Sequence, residues 1–395
     1  MTNDGHTETV RRLIGAAGGT ARGLADAVTR LGPQRVVPVL ANEVMFRCGP
    51  ARNHIPVTAE LVIGFGADAT TVAMAFPTGK PVTAAGDSDG PMVMTFEVDA
   101  VDLVRELFGP ARGRTTGLGR ITMHTTNPDG SPDWAVGAAA SVVADQLVVA
   151  CTAQKPDLGT VALAYDSDKW GALHWFAAHY DRHFAPLRDD AVTVLEIGIG
   201  GYGFQDGGGS LRMWRRYFHR GEVYGLDIFD KSHIEDLRMG TLVGDQSDAA
   251  VLREIAERYG PFDVVIDDGS HVNEHILTSF RALFPYVRAG GFYVIEDLWT
   301  TFQPGFGGRD TPGSSPGTSL DLLKRIVDGL HHEEHTAAGE PSYADLHVVG
   351  LHVYHNIAFL EKGVNAEGGI PAWVPQGHEV ISAMYPKKDP ATGAS

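Results

Sequence analysis

Four apolar runs between Val192 and Thr300 end abruptly in glycine or carboxylate, and this pattern constrains the fold more than any other feature of the chain. VTVLEIGIGGYG (192–203) reads as a buried parallel strand running into a glycine turn, where a backbone without side chains can close around a nucleotide-type ligand. EVYGLDIFD (222–230) follows at the spacing of one βαβ unit and places Asp227 at a strand end, where a carboxylate can accept hydrogen bonds from ribose hydroxyls. FDVVIDDGSH (262–271) and GGFYVIEDL (290–298) each end in a pair of carboxylates.

Ligands of open α/β sheets lie outside the carboxyl ends of the strands. Asp267, Asp268, Glu296 and Asp297 are therefore expected along one rim, with the strands neighbours and the groups about 5 Å apart at the backbone. Such crowding is costly unless some groups protonate or a cation lies among them, and all-oxygen ligation suits a hard ion such as Mg²⁺. His271, three residues beyond Asp268, is placed to act as a general base in the same space.

LEIGIGGYG, GGGSLRMW (207–214), YGLDI, GDQSD (244–248), IDDGSH and YVIEDL together resemble the class I S-adenosylmethionine-dependent methyltransferases. More narrowly, they resemble the metal-dependent O-methyltransferases of antibiotic deoxysugars. The likeness extends over nearly the whole chain, including SDKW…HWF (167–176) and LHVYHN (351–356). It implies an α/β fold, a Rossmann-like seven-stranded sheet ending in an antiparallel hairpin, preceded by an α+β auxiliary domain that helps build a homotetramer and shape the acceptor pocket. It implies Mg²⁺ held by Asp268, Glu296 and Asp297, with His271 as base. The cofactor S-adenosylmethionine is expected against Glu196, Gly198, Gly200, Gly201, Ser210, Asp227, Asp245, Gln246, Ser247 and Asp268. The implied acceptor is a sugar hydroxyl, the 2-hydroxyl of a deoxysugar such as 6-deoxyallose or rhamnose, on a glycosylated polyketide or macrolide.

The N-terminal expectations come from periodicity. Apolar spacing at Val10, Leu13 and Ile14 predicts a helix stopping at Gly18-Gly19, and a second helix runs through ARGLADAVTRLG. AELVIGFGA, TVAMAFP, MVMTFEV and ASVVADQLVVACTA (140–153) read as β-rich, and VDLVRELFG as a short helix closed by Gly109. MFRCGPARNH (45–54) reads as a turn or interface segment, with acceptor contact as the functional alternative. These readings place an auxiliary domain at 1–160, a methyltransferase domain at 161–385 and a frayed tail at 386–395.

Asp168 is expected to cap a helix spanning GALHWFAAHYDRHFAPL, with Trp170, Leu173, Phe176 and Tyr180 on its core face. His174, His179 and His183 lack the flanking acid of a zinc site. Ser210 reads as the cap of the helix SLRMWRRYF, whose N-terminus suits the cofactor's carboxylate. The 20-residue stretch 300–319 reads as a structureless lid whose Phe302 and Phe306, with Tyr293, stack on the acceptor.

The formal net charge of −17 and the lack of a basic run exclude phosphate-backbone binding. Two cysteines make no disulfide framework, no basic-then-apolar leader is visible, and no run reaches ~18 apolar residues, so a cytoplasmic protein is expected. Two other functions fit the fold: a nicotinamide dehydrogenase, and a catalytically silent assembly subunit. The first is disfavoured by the irregular glycine spacing, the second by the intact Asp268, His271, Glu296 and Asp297.

Overall fold

The computed structural model describes residues 3–377 apart from short stretches at 87–88, 111–116, 128, 154, 172, 202–205, 312, 314, 336–338, 372 and 375–376. The expected tail at 386–395 lies outside the described residues. Three helices come first: α1 (Asn3–Ala17), α2 (Ala21–Leu31) and α3 (Pro33–Cys48). The first two lie where apolar spacing put them, with Val10, Leu13, Ile14, Leu24 and Val28 buried. The third was not foreseen, and it takes in residues 45–48 of the expected turn. Pro33 begins it, where the missing N–H costs nothing.

Strands β1 (Val57–Phe65), β2 (Asp68–Phe76), β3 (Thr83–Ala84), β4 (Met92–Asp99) and β5 (Gly119–Met123) form a five-stranded sheet in the order β3-β2-β1-β4-β5. Between β4 and β5 lies α4 (Ala100–Phe108), ended by Gly109 as the sequence predicts. The apolar run at 140–153 is not a strand. It belongs to α5 (Trp134–Cys151), started by the Asp133 carboxylate on the N–H groups of Ala135 and Val136. Its buried residues, Ala139, Ala140, Val143, Ala144, Leu147, Ala150 and Cys151, recur at helical spacing. By length and composition α5 could cross a membrane, contrary to the expectation that no run is so apolar, but 44% of it is buried inside this fold.

The chain continues through α6 (Leu158–Ala164) and α7 (Ala177–Phe184) to an alternating series. The series is β6 (Thr193–Ile197), α8 (Gly209–Tyr217), β7 (Glu222–Asp227), β8 (Met239–Val243), α9 (Ala249–Tyr259), β9 (Phe262–Asp267), α10 (Asn273–Leu283) and β10 (Val287–Glu296). It closes with α11 (Ser319–Gly329), α12 (Tyr343–His347), β11 (Val348–Tyr354) and β12 (Ile357–Lys362). The seven strands order as β11-β12-β10-β9-β6-β7-β8. Strands β6 to β10 pair in parallel, whereas β12 runs antiparallel to both β10 and β11. This is the seven-stranded sheet with a terminal hairpin that the resemblance implies. One core packs its first face against α6, α7 and α8, and a second packs the other face against α9, α10 and α11.

A buried charge cluster joins the N-terminal helices to this sheet. Glu43, on α3, accepts hydrogen bonds from Arg47 at 2.8 Å, Arg238 at 2.8 Å and Arg215 at 3.3 Å. The Arg215 guanidinium also stacks on the Phe46 ring. Burial works against the Glu43 carboxylate, but the three arginines outweigh it and hold it well below the usual carboxylate range. Nearby, the buried His219 ring bonds the Gly109 carbonyl at the end of α4, and burial pushes its imidazole down from 6.5 to about 3.

Glu43→Ala leaves three guanidinium groups without their shared anion, so urea unfolding should show a loss of about 3–5 kcal/mol. His219 makes a second test. Its folded pKa lies below its unfolded one, so its contribution is complete above pH 6.5 and is lost as the pH falls towards 3. From pH 7 to pH 5 the parent should lose about 2 kcal/mol that His219→Gln does not, read from urea midpoints.

Candidate active site

Strand alternation decides which carboxylates meet. Val194 on β6, Val264 and Ile266 on β9, and Val294 on β10 all face the core beneath α6, α7 and α8. Two residues beyond each run, Glu196, Asp268 and Glu296 continue that face and converge. Lys169 Nζ lies among them, 2.8 Å from Asp268 Oδ2, 2.8 Å from Glu296 Oε1 and 3.2 Å from Glu196 Oε1. Lys169 is fully buried. Burial disfavours its charge, yet Asp268, Glu296 and Glu196 outweigh that and hold the ammonium well above its ordinary pKa. Tyr180 donates its hydroxyl to Glu296 Oε1. Burial, then the Asp268 charge, push Glu296 well above the carboxylate range, with Lys169 opposing.

Lys169 also sets the local backbone, since its carbonyl accepts from the N–H groups of Phe176 and Ala177 at 3.0 and 3.1 Å. The chain therefore folds back at 170–176, where Trp170 bridges Trp175, and the helix starts only at Ala177. Asp168 caps nothing there, and Leu173 is 68% exposed instead of sharing a core face with Phe176 and Tyr180. Two of the three histidines meet on Tyr354, and the third lies apart. His179 stacks on Tyr354, His183 bonds the Tyr354 hydroxyl, and His174 reaches the catalytic edge.

Asp267 points to the opposite face of the sheet, which corrects the expected rim of four carboxylates. It accepts from Gln246 Nε2 at 2.5 Å, from the Tyr293 hydroxyl at 3.2 Å and from Ser279 Oγ. Burial pushes its carboxyl up to about 6 against those hydrogen bonds. Tyr293 is thus buried in the core and is not an acceptor-stacking ring. Gln246 is likewise committed inward, its Oε1 accepting from Ser270 N. A cavity of about 480 Å³ between α10 and α12, on this second face, contains none of the expected site residues.

The open side of the edge is formed by Asp268, His271 and Asp297, whose ligating atoms lie within 4.8 Å of one another. Glu296 falls instead in an adjoining group with Glu196, and Asp268 is common to both. His271 and Asp297 hold left-handed backbones, φ 57° and 54°, a strain of about 1–3 kcal/mol each that packing must sustain. His271 Nε2 lies 3.6 Å from Asp297 Oδ2 and His174 Nε2 3.6 Å from Asp297 Oδ1. Asn356 donates to Asp297 Oδ1 at 2.8 Å. Burial raises the Asp297 pKa, His271 lowers it and Asp268 adds to the rise.

The stretch expected to be a structureless lid has its own order. Residues 298–302 and 304–306 form two short 3₁₀ turns. The buried Asn273 amide donates to the carbonyls of Thr300 and Phe306, and its oxygen accepts from Ser319 N at 2.7 Å. The pinned turns set Phe306 beside both His271 and Trp299. Trp299, Lys169, His174 and Asn356 carry weight that sequence reasoning missed. Only the resemblance of SDKW…HWF and LHVYHN pointed to the segments that hold the last three.

At the other end, Gly198, Gly200 and Gly201 all have positive φ, and a Cβ on Gly198 would strike the Asp268 carbonyl. Asp227 braces this loop, accepting from Ile199 N at 3.2 Å and from Phe229 N at 3.0 Å. Ser210 is not the helix cap. Gly208 holds that position with φ 74°, and Ser210 donates to Glu196 Oε2 at 2.7 Å. Ser247 turns back to Asp245, its hydroxyl donating at 2.7 Å, while Asp248 caps α9.

Comparison with known proteins gives a consistent result. A family model described as MycE methyltransferase N-terminal matches residues 10–118. Demethylmacrocin O-methyltransferase of Streptomyces fradiae is 52% identical over 380 residues, covering 95% of this chain and 96% of the relative. Mycinamicin VI 2″-O-methyltransferase of Micromonospora griseorubida is 45% identical over 381 residues, covering 94% and 95%. Among solved structures, the MycE methyltransferase in complex with Mg, SAH and mycinamycin VI superposes with a TM-score of 0.88 at 44% identity, covering 95% of this chain and 99% of that one.

Proposed function

Because this chain belongs to the family of S-adenosylmethionine-dependent sugar O-methyltransferases of antibiotic biosynthesis, we propose that it methylates the 2-hydroxyl of a deoxysugar, such as 6-deoxyallose or rhamnose, on a macrolide or related polyketide. The observation that carries this reading is the trio Asp268, His271 and Asp297 at one edge of the sheet, joined backbone to backbone to the glycine turn at Gly198. Two carboxylates and an imidazole within 4.8 Å fit a hard divalent ion, and Asp268, Asp297 and the adjoining Glu296 would hold it. When bound, Mg²⁺ supplies a Lewis acid for a sugar hydroxyl too weakly acidic to ionise alone, and the cofactor supplies an electrophilic methyl group.

The remaining work falls to the chain. His271 Nε2 is the proton acceptor, and Asp297 Oδ2 beside it stabilises the imidazolium that forms. Asn356 and His174 fix Asp297 from its other oxygen. Trp299 and Phe306 present an apolar wall beside His271 for the glycosylated acceptor and exclude water from it. The glycine turn and Asp227 position the cofactor, with Glu196 and Ser210 closing the inner side and Asp245 and Ser247 around the adenosine end. Positioning the two reactants supplies much of the acceleration. In the same reading the protein assembles as a homotetramer.

Mass spectrometry of a panel of glycosylated macrolides and tetracyclic polyketides should show the gain of one methyl, and NMR should place it on the sugar 2-oxygen. No methylation across the panel, or a methyl on the aglycone, would contradict the reading. His271→Ala should lower kcat by roughly 10²–10⁴, with cofactor affinity unchanged. Asp227→Ala should weaken S-adenosylhomocysteine binding in calorimetry by about 1–3 kcal/mol.

A further inference from the structure

The two acidic groups at the catalytic edge share one member. Asp268 belongs both to the trio with His271 and Asp297 and to the buried trio with Glu196 and Glu296. A carboxylate common to two ligand sets is the arrangement of two-metal sites, whose ions lie about 3.5–4 Å apart. Here the inner position is filled by the chain itself, since Lys169 Nζ lies 2.8, 2.8 and 3.2 Å from one oxygen of each inner carboxylate. Glu196 Oε1, fully buried, has no hydrogen-bond donor of good geometry among the described residues and faces this cation.

We propose that Lys169 is a resident monovalent cation standing in the place of a second metal, so that the site takes one divalent ion, at Asp268 and Asp297 with the adjoining Glu296, and no more. The distances agree, because 2.8–3.2 Å suits an ammonium ion, whereas Mg²⁺ requires oxygens at about 2.0–2.1 Å. The charge agrees as well. Glu196 lies one residue before the end of the strand that leads into the glycine turn and accepts from Ser210 at the start of α8, so the inner position borders the turn proposed to hold the cofactor. A single positive charge leaves the three carboxylates with more net negative charge towards a sulfonium cofactor than a divalent ion there would. Lys169 is therefore a positioning residue. It keeps Glu196, Asp268 and Glu296 together without competing for the hydroxyl.

The inference rests on the divalent-ion reading of Asp268 and Asp297, and counting ions separates the two. EDTA-stripped full-length protein is titrated with Mn²⁺ under electron paramagnetic resonance, which counts free ion without any turnover. The parent should bind one Mn²⁺ per chain and Lys169→Ala two, and the thermal midpoint of the variant should rise with Mn²⁺ well beyond the parent's rise. Lys169→Ala with Glu196→Gln, which breaks the inner set, should return the count to one. A parent that binds none overturns the divalent-ion reading itself. A parent that binds one with Lys169→Ala also binding one, or a parent that binds two, overturns the role given to Lys169. So does a Lys169→Ala protein that cannot be recovered even when Mn²⁺ is supplied throughout.

Discussion

A single ammonium group buried among three carboxylates is the constraint on which the catalytic edge depends. Lys169 meets Glu196, Asp268 and Glu296, carried on three neighbouring strands, and without a cation there those strand ends could not approach so closely. The same residue's carbonyl turns the chain at 170–176 and starts α7, which delivers Tyr180 to Glu296 and, ahead of the helix, His174 to Asp297. One residue thus fixes the charge balance of the inner wall and the position of the segment that closes over it. With Asp268 held from inside by Lys169, its place beside Asp297 and His271 is set before any ligand arrives, and such preorganisation is what a site that must stabilise developing charge needs.

A second buried cluster sets the frame around that edge. Glu43 on α3 binds Arg215 at the end of α8 and Arg238 ahead of β8, so the N-terminal helices are tied to the sheet that carries the site. Arg11 on α1 adds a bidentate pair to Glu222 on β7. These contacts bear on the outer strands of the larger sheet, away from the carboxylates, and their chemistry is structural. The burial of arginine on one side and lysine on the other gives two cation–carboxylate systems of opposite composition in one chain, three guanidinium groups around one acid and three acids around one ammonium.

Much of this was legible in the sequence for identifiable reasons. Strands that end in glycine or in paired acids declare where a parallel sheet opens, and Asp227, Asp268, His271 and Asp297 lie at that edge. The pairs themselves misled. Adjacent side chains on a strand point to opposite faces, so Asp267 and Asp268 part company: of the expected rim of four acids, Asp268 and Glu296 gather with Glu196 around a lysine, Asp297 lies beside His271, and Asp267 turns into the other core. Lys169 was not legible because it lies some hundred residues from Asp268 and more from Glu296, and no local spacing joins them. The run in α5 read as strand because its valines favour strands, and only Asp133 marked a helix start. The stretch after Glu296 looked structureless because its order comes from a distant residue, Asn273, and not from local periodicity.

The most direct test of the account is Mn²⁺ binding to Asp297→Asn. The substitution keeps the shape of the side chain and its bond from Asn356 while removing one of the two outer carboxylates. The account predicts that Mn²⁺ affinity, read by electron paramagnetic resonance, falls at least tenfold, or ~1.4 kcal/mol, while S-adenosylhomocysteine binds as it does to the parent. Mn²⁺ held as tightly by Asp297→Asn as by the parent would contradict it, and would place the ion elsewhere than at Asp268 and Asp297.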